Sequence, residues 1–121
     1  MAIWVAPAAA PQSPFFNLTT QSDNLTASSV QTQAGGLLLG SAINRVTTVT
    51  VAADALLLPP SVAGAFMIVI NAAAANSMGV FPSVGDAVNA LAANAVFAIA
   101  ANKTVIFYCV TAGRWHTILT A

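Results

Sequence analysis

The chain predicts an all-β protein, an antiparallel β-sandwich of jelly-roll type with an extended N-terminal arm. Three observations carry that expectation. From residue 37 onward, β-branched and aromatic residues gather in short runs bounded by Gly, Pro, Asn and Asp. The runs recur at spacings of about 8–12 residues, the rhythm of a sandwich. No stretch of helical length keeps a clean apolar stripe. Residues 71–76, NAAAAN, favour helix by composition, but glycines, asparagines and Pro82 interrupt any continuation.

Taken in order, residues 1–36 stand apart. They hold Pro7, Pro11 and Pro14, then a polar stretch over 17–33 closed by Gly35 and Gly36, with no sustained helical or strand period. This segment is expected to be an extended arm, and residues 37–121 the β-sandwich domain. The arm holds three of the nine aromatics, Trp4, Phe15 and Phe16. A merely solvated tail seldom carries such groups. Two readings stay open: the aromatics anchor the arm on a neighbouring subunit, or the segment folds back over its own domain.

Strands are expected over 43–53 (INRVTTVTVAA, with Val49 and Val51 on one face), 56–58 (LLL, ended by Pro59-Pro60) and 65–71 (AFMIVIN, apolar on both faces). Further strands are expected over 78–81, 95–100, 104–111 and 115–119, with turns at 101–103 and 112–114. Between the fourth and fifth of these lies VFPSVGDAVNAL, which reads as a corner. Pro82 presets φ for a turn, and Gly85 takes the positive φ that strains a residue with a β-carbon. Asp86 and Asn89 supply partners for backbone amides that strand pairing no longer reaches. Val84, Val88 and Leu91 are expected to point inward.

Of the 121 residues, 58% are hydrophobic and 5% charged, with formal net charge zero. Alanine is more than a fifth of the chain, so the core is built from small groups. Six charged side chains are too few to cover a small monomer in the usual way, and burying surface against other subunits is the simplest remedy. Three basic residues, Arg45, Lys103 and Arg114, cannot neutralise a phosphate backbone, so no nucleic-acid partner is expected.

No membrane partner is expected either. The uncharged interval between Asp54 and Asp86 is broken by Pro59, Pro60, Gly64, Asn71, Asn76, Gly79 and Pro82, and falls short of the roughly 18–20 apolar residues a span needs. The first residues, MAIWVAPAAAPQ, lack the basic start and sustained apolar core of a secretion signal. A single cysteine, Cys109, permits no internal disulfide.

Chemistry finds few candidates. Cys109 and His116 form the only nucleophile–base pair worth naming, on strands joined by the 112–114 turn. With no cation beside it in the sequence, Cys109 reads as a small buried hydrophobe. Asp23, Asp54 and Asp86 are scattered and there is no glutamate, so neither a metal site nor a carboxylate pair is expected. No enzyme activity and no cofactor are expected.

Residues 56–119 nevertheless carry a set of marks. An apolar strand ends in Ile70-Asn71, followed by Phe81-Pro82, Gly85-Asp86 and Asn89-Ala90-Leu91. A strand then places Phe107 before Cys109, and Trp115 comes late. In this combination the segment resembles a module that recurs in structural proteins of tailed bacteriophages, although glycine is common where this chain has Ala90. The resemblance covers only part of the chain and excludes the arm. It implies a virion component and leaves the role open among capsid decoration (cement) protein, head fibre and tail-associated protein. The first reading is a decoration protein on the outer capsid surface. It would be a homo-oligomer, trimer favoured, that clamps the major capsid protein. The alternative is a receptor-binding or fibre-tip module for host surface glycan; an internal tail or neck adaptor is a more remote third.

Overall fold

The computed structural model describes residues 20–120. Trp4, Phe15 and Phe16 lie outside them. Ten strands are present: β1 (Gln21–Thr26), β2 (Leu37–Leu38), β3 (Ile43–Thr48), β4 (Asp54–Leu57), β5 (Phe66–Asn71), β6 (Met78–Phe81), β7 (Ala87–Val88), β8 (Phe97–Ile99), β9 (Lys103–Cys109) and β10 (Arg114–Leu119). There is no helix among the described residues, so the all-β class stands.

The strand order differs from the expected antiparallel one. One sheet runs β1-β3-β5-β9-β10-β7 and the other β2-β4-β6-β8. Both are mixed: β1–β3, β3–β5, β2–β4, β4–β6 and β7–β10 are parallel, while β5–β9, β9–β10 and β6–β8 are antiparallel. The cause lies in the early connections. After β1, β3 and β5 the chain crosses to the other sheet instead of turning back in a hairpin. The next strand in the same sheet therefore arrives one full circuit later, pointing the same way. The first six strands thus wind in a solenoid-like coil. β8, β9 and β10 then reverse and add antiparallel strands to both sheets.

Alternation places the core. In β5, Met67, Val69 and Asn71 are buried while Phe66, Ile68 and Ile70 are half-buried; β9 likewise buries Val105, Phe107 and Cys109. These inward residues pack with Leu56, Met78, Val80 and Ile99 of the other sheet in one cluster. Phe107 sits at its centre, edge-on to Phe97 (5.8 Å) and Trp115 (6.4 Å). Cys109 is buried and free, its thiol donating to the carbonyl of Thr111 at 3.2 Å.

Polar groups inside the fold are tied to backbone. Asn71 donates from Nδ2 to the carbonyls of Ile99 (3.0 Å) and Asn76 (3.2 Å) and accepts from the Ala73 N–H (3.1 Å), bridging the two sheets. Asn44 donates to the carbonyls of Ser41 and Ile68. The indole Nε1 of Trp115 is buried with no hydrogen-bond partner.

Of the segment expected as an arm, residues 20–36 belong to the same body. β1 pairs with β3, Ser28 bridges Ala55, and Gln33 donates to the carbonyl of Pro82 at 2.7 Å. Gly36 passes so close to β4 that a β-carbon there would come within 2.9 Å of the Leu56 backbone. Val51, expected on a strand face with Val49, is exposed in the turn after β3, whereas Val49 is buried.

Candidate interaction surface

The inner face of the six-stranded sheet meets the other sheet; among the described strands, none stacks on its outer face. What that face displays follows from register. Ile43 stands opposite Ile68, Ile68 opposite Ile106, and Ile106 opposite Ile118. Four isoleucines therefore run in one row across β3, β5, β9 and β10. One step along the strands a second row holds Phe66, Tyr108 and His116, with the rings of Tyr108 and His116 stacked at 5.6 Å. One step the other way come Arg45, Ile70 and Thr104. Most of these residues are half-buried; Ile118 is 57% exposed.

Cross-strand neighbours on one face lie about 5 Å apart, and successive rows about 7 Å apart. The apolar part of the face thus has a footprint on the order of 400 Å², comparable to the largest apolar patch on a typical monomer, a patch that is often functional.

Charge is confined to the margins. On the β1 side Arg45 donates to Asp23 at 2.9 Å. The Arg45 guanidinium, helped by the Asn24 N–H, holds the Asp23 carboxyl below its ordinary value. On the β10 side Arg114 donates to the carbonyls of Asn89 and Leu91 and is thereby committed to the 89–91 loop. A second carboxylate, Asp54, lies away from this face. The Gln31 amide (3.0 Å) and the Val51 N–H (3.1 Å) hold it below its ordinary value against the opposing effect of burial.

The corner residues meet at one end of the sheet. Asp86 donates its N–H to the Ser83 carbonyl, closing a turn in which Gly85 has φ of 90°. Pro82 comes one residue before that turn. The Asp86 carboxylate accepts the Ser61 N–H at 2.9 Å, and Ser61 Oγ accepts the Gly113 N–H at 2.7 Å. Three loops, around residues 61–65, 83–86 and 110–113, are thereby tied together. Asn89 has φ of 51°, donates to Thr117 Oγ1 at 2.7 Å and accepts the Thr117 N–H at 3.1 Å. Val88 is buried, but Val84, expected inward, is 81% exposed, and Leu91 is exposed too. The turn places Val84 at its outermost position, beyond reach of the core. Val62 and Val110 are also exposed at these loops.

Cys109 and His116 are not brought together. Cys109 faces the core and pairs in register with Trp115, whereas His116 shares the outer face with Tyr108. No group of three or more His, Cys, Asp or Glu residues suited to a metal ion occurs among the described residues. No described helix is long and apolar enough to cross a membrane.

The isoleucine row was hidden in the sequence because its members come from strands far apart in the chain. Each strand shows an apolar residue at the right parity, but only the register aligns them. Fold and surface together define a class: an all-β, solenoid-like body with an apolar sheet face. Comparison with family models, characterised proteins and solved structures finds no match.

Proposed function

We propose that this chain is a structural virion protein that decorates a phage capsid, binding its outer surface as an oligomer, with a trimer favoured. In this reading the two sheets sharing one core form a sandwich-like body with no catalytic role. The observation that carries it is the row Ile43, Ile68, Ile106 and Ile118 on the outer face of a chain with only six charged side chains. Such a face gains by being shared with companions. The marks across residues 56–119 that resemble phage structural modules supply the setting.

The mechanism is clamping. Sister copies bury apolar faces against one another, and the oligomer then presents several weak contacts at once to the major capsid protein. Linked contacts act through effective concentration, so a modest affinity per copy becomes firm attachment. A shell held in this way resists expansion at its joints.

Copy number in purified particles tests the reading. Hundreds of copies per particle are expected. A few copies would favour a fibre-tip or adaptor role, and absence from the particle would overturn the virion assignment. Light scattering on the purified protein is the second check: a freely soluble monomer at high concentration removes the physical support.

A further inference from the structure

We infer that His116 makes the shared face sensitive to pH, so that copies joined through the outer face of the six-stranded sheet separate on acidification, an inference that rests on the oligomer reading above. The chain has one histidine, and histidine is the side chain whose ordinary charge change falls between pH 5 and 8. Register puts it on the outer face, opposite Tyr108 and in the row that also holds Phe66. Its ring lies against the Tyr108 ring, 5.6 Å between centroids and 29° between planes, and is half-buried in a single copy. Neither ring nitrogen has a hydrogen-bond partner among the described residues.

When neutral, the stacked pair is an aromatic surface beside Ile106 and Ile118, suited to burial against a companion. When charged, His116 needs an acid, and no surrounding element supplies one. On β9, Tyr108 stands opposite, and the one charged residue, Lys103, lies at the far end of the strand. β7, on the other side, is Ala87–Val88 and carries no titratable group. On β10 itself Arg114 shares the face two residues away, about 7 Å along the strand, so the nearest charge is a like one. Asp86 precedes β7, but its carboxylate accepts the Ser61 N–H.

A companion cannot bring the missing acid, because it is the same chain. Its three carboxylate side chains are all engaged: Asp23 with Arg45, Asp54 with Gln31 and the Val51 N–H, Asp86 with the Ser61 N–H. An imidazolium between two such faces is a charge buried without an opposite partner, a cost that the neutral ring does not carry. In a free copy the same charge faces water. Separation therefore takes up protons, and linkage fixes the sign: association weakens as pH falls. For each His116 buried at a contact, the dissociation constant is expected to rise by up to about tenfold per pH unit. The range is distinct from the acid loss that Asp54 brings to the fold itself below about pH 4.

The test is light scattering on the full chain over a concentration series between about pH 8 and pH 5 at constant ionic strength, with circular dichroism as the check on folding. The native chain is expected to lose oligomer mass across this range while keeping its β signal. His116→Phe, which keeps a ring and takes no proton, and His116→Gln, neutral and polar, are expected to hold at pH 5 the mass they have at pH 8. Proton uptake on dilution of the native oligomer near pH 6, read with an indicator dye in weak buffer, decides the matter without any variant. Up to about one proton per freed copy is expected, and no uptake would overturn the inference. A native oligomer whose mass holds down to pH 5 would overturn it and leave the oligomer reading standing. So would a neutral variant that dissociates along the native curve. A native chain that is monomeric at pH 8 and high concentration would remove the oligomer reading and this inference with it.

Discussion

The carboxylate of Asp86 and the backbone N–H of Ser61 meet at 2.9 Å across two loops that lie 25 residues apart in the chain. Ser61 passes the connection on, its Oγ accepting from Gly113 at 2.7 Å. One serine therefore fixes three loops that would otherwise depend on their own turns. Ser61→Ala is expected to cost about 1 kcal/mol, the net worth of one partly buried hydrogen bond, and Asp86→Ala about 1–3 kcal/mol because it strands an amide donor. The double variant is expected to lose less than the sum, since both bonds hold the same loops. Denaturant unfolding measures the stabilities, and exchange of the Gly113 amide reports the loop directly.

Acid is expected to destabilise the fold, and the sign follows from Asp54. Hydrogen bonds from Gln31 and Val51 depress its folded pKa below the ordinary 3.8. A carboxylate with a depressed pKa contributes stability above its unfolded pKa and loses it as pH falls through the folded one. The Asp54 contribution is therefore fully present above roughly pH 5 and declines below about pH 4. Asp54→Asn, which keeps an acceptor for Gln31 but cannot ionise, is expected to flatten that decline. Asp23, exposed and paired with Arg45, contributes a part that added salt removes. Unfolding midpoints across pH at low and high salt separate the two.

Asparagine takes glycine's place at several turns. Asn102 has φ of 61° and Asn76 φ of 76°. At Asn102 the backbone geometry is what matters, so Asn102→Gly is expected to be tolerated and Asn102→Ala to cost about 1 kcal/mol. Asn76 also donates to the carbonyls of Val49 (3.0 Å) and Thr50 (3.2 Å), so there even Asn76→Gly is expected to cost about 1 kcal/mol. Thermal melts of the four variants, with Asn76→Ala as the fourth, test the contrast.

The strands with strong local pattern were legible. Residues 65–71, 78–81 and 104–111 fall on β5, β6 and β9, because short apolar runs rich in β-branched or aromatic residues and bounded by turn residues mark strands wherever they pair. β1 was not legible. In QSDNLT only Ser22 and Leu25 face inward even partly, so an edge strand looks like polar linker. Pairing direction was not legible either. Leu37 pairs with Leu56, and Ile43 with Ile68, at unequal sequence separations and with loops of different length, so the coil leaves no repeat in the sequence. The apolar face was foreshadowed by scarcity of charge, but its location depends on register, which composition does not carry.

Ile106 and Phe107 are neighbours in β9 that point to opposite faces, and this separates folding from assembly. Phe107 is fully buried between Phe97 and Trp115. Phe107→Ala is expected to cost about 3–5 kcal/mol, the usual loss for a large buried ring. Ile106→Thr keeps the β-branched shape that suits a strand and is expected to change monomer stability by less than about 1 kcal/mol. On the outer face the same change removes most of the apolar gain of burying Ile106 against a partner, about 1–2 kcal/mol, or roughly tenfold in the dissociation constant per contact. Because each copy in a symmetric oligomer carries the change, the loss is repeated at every interface. Unfolding curves at low protein concentration and light scattering over a concentration series give the two readouts. If Ile106→Thr lowered the unfolding midpoint as much as Phe107→Ala and left the mass unchanged, the outer face would be a structural surface and not a shared one.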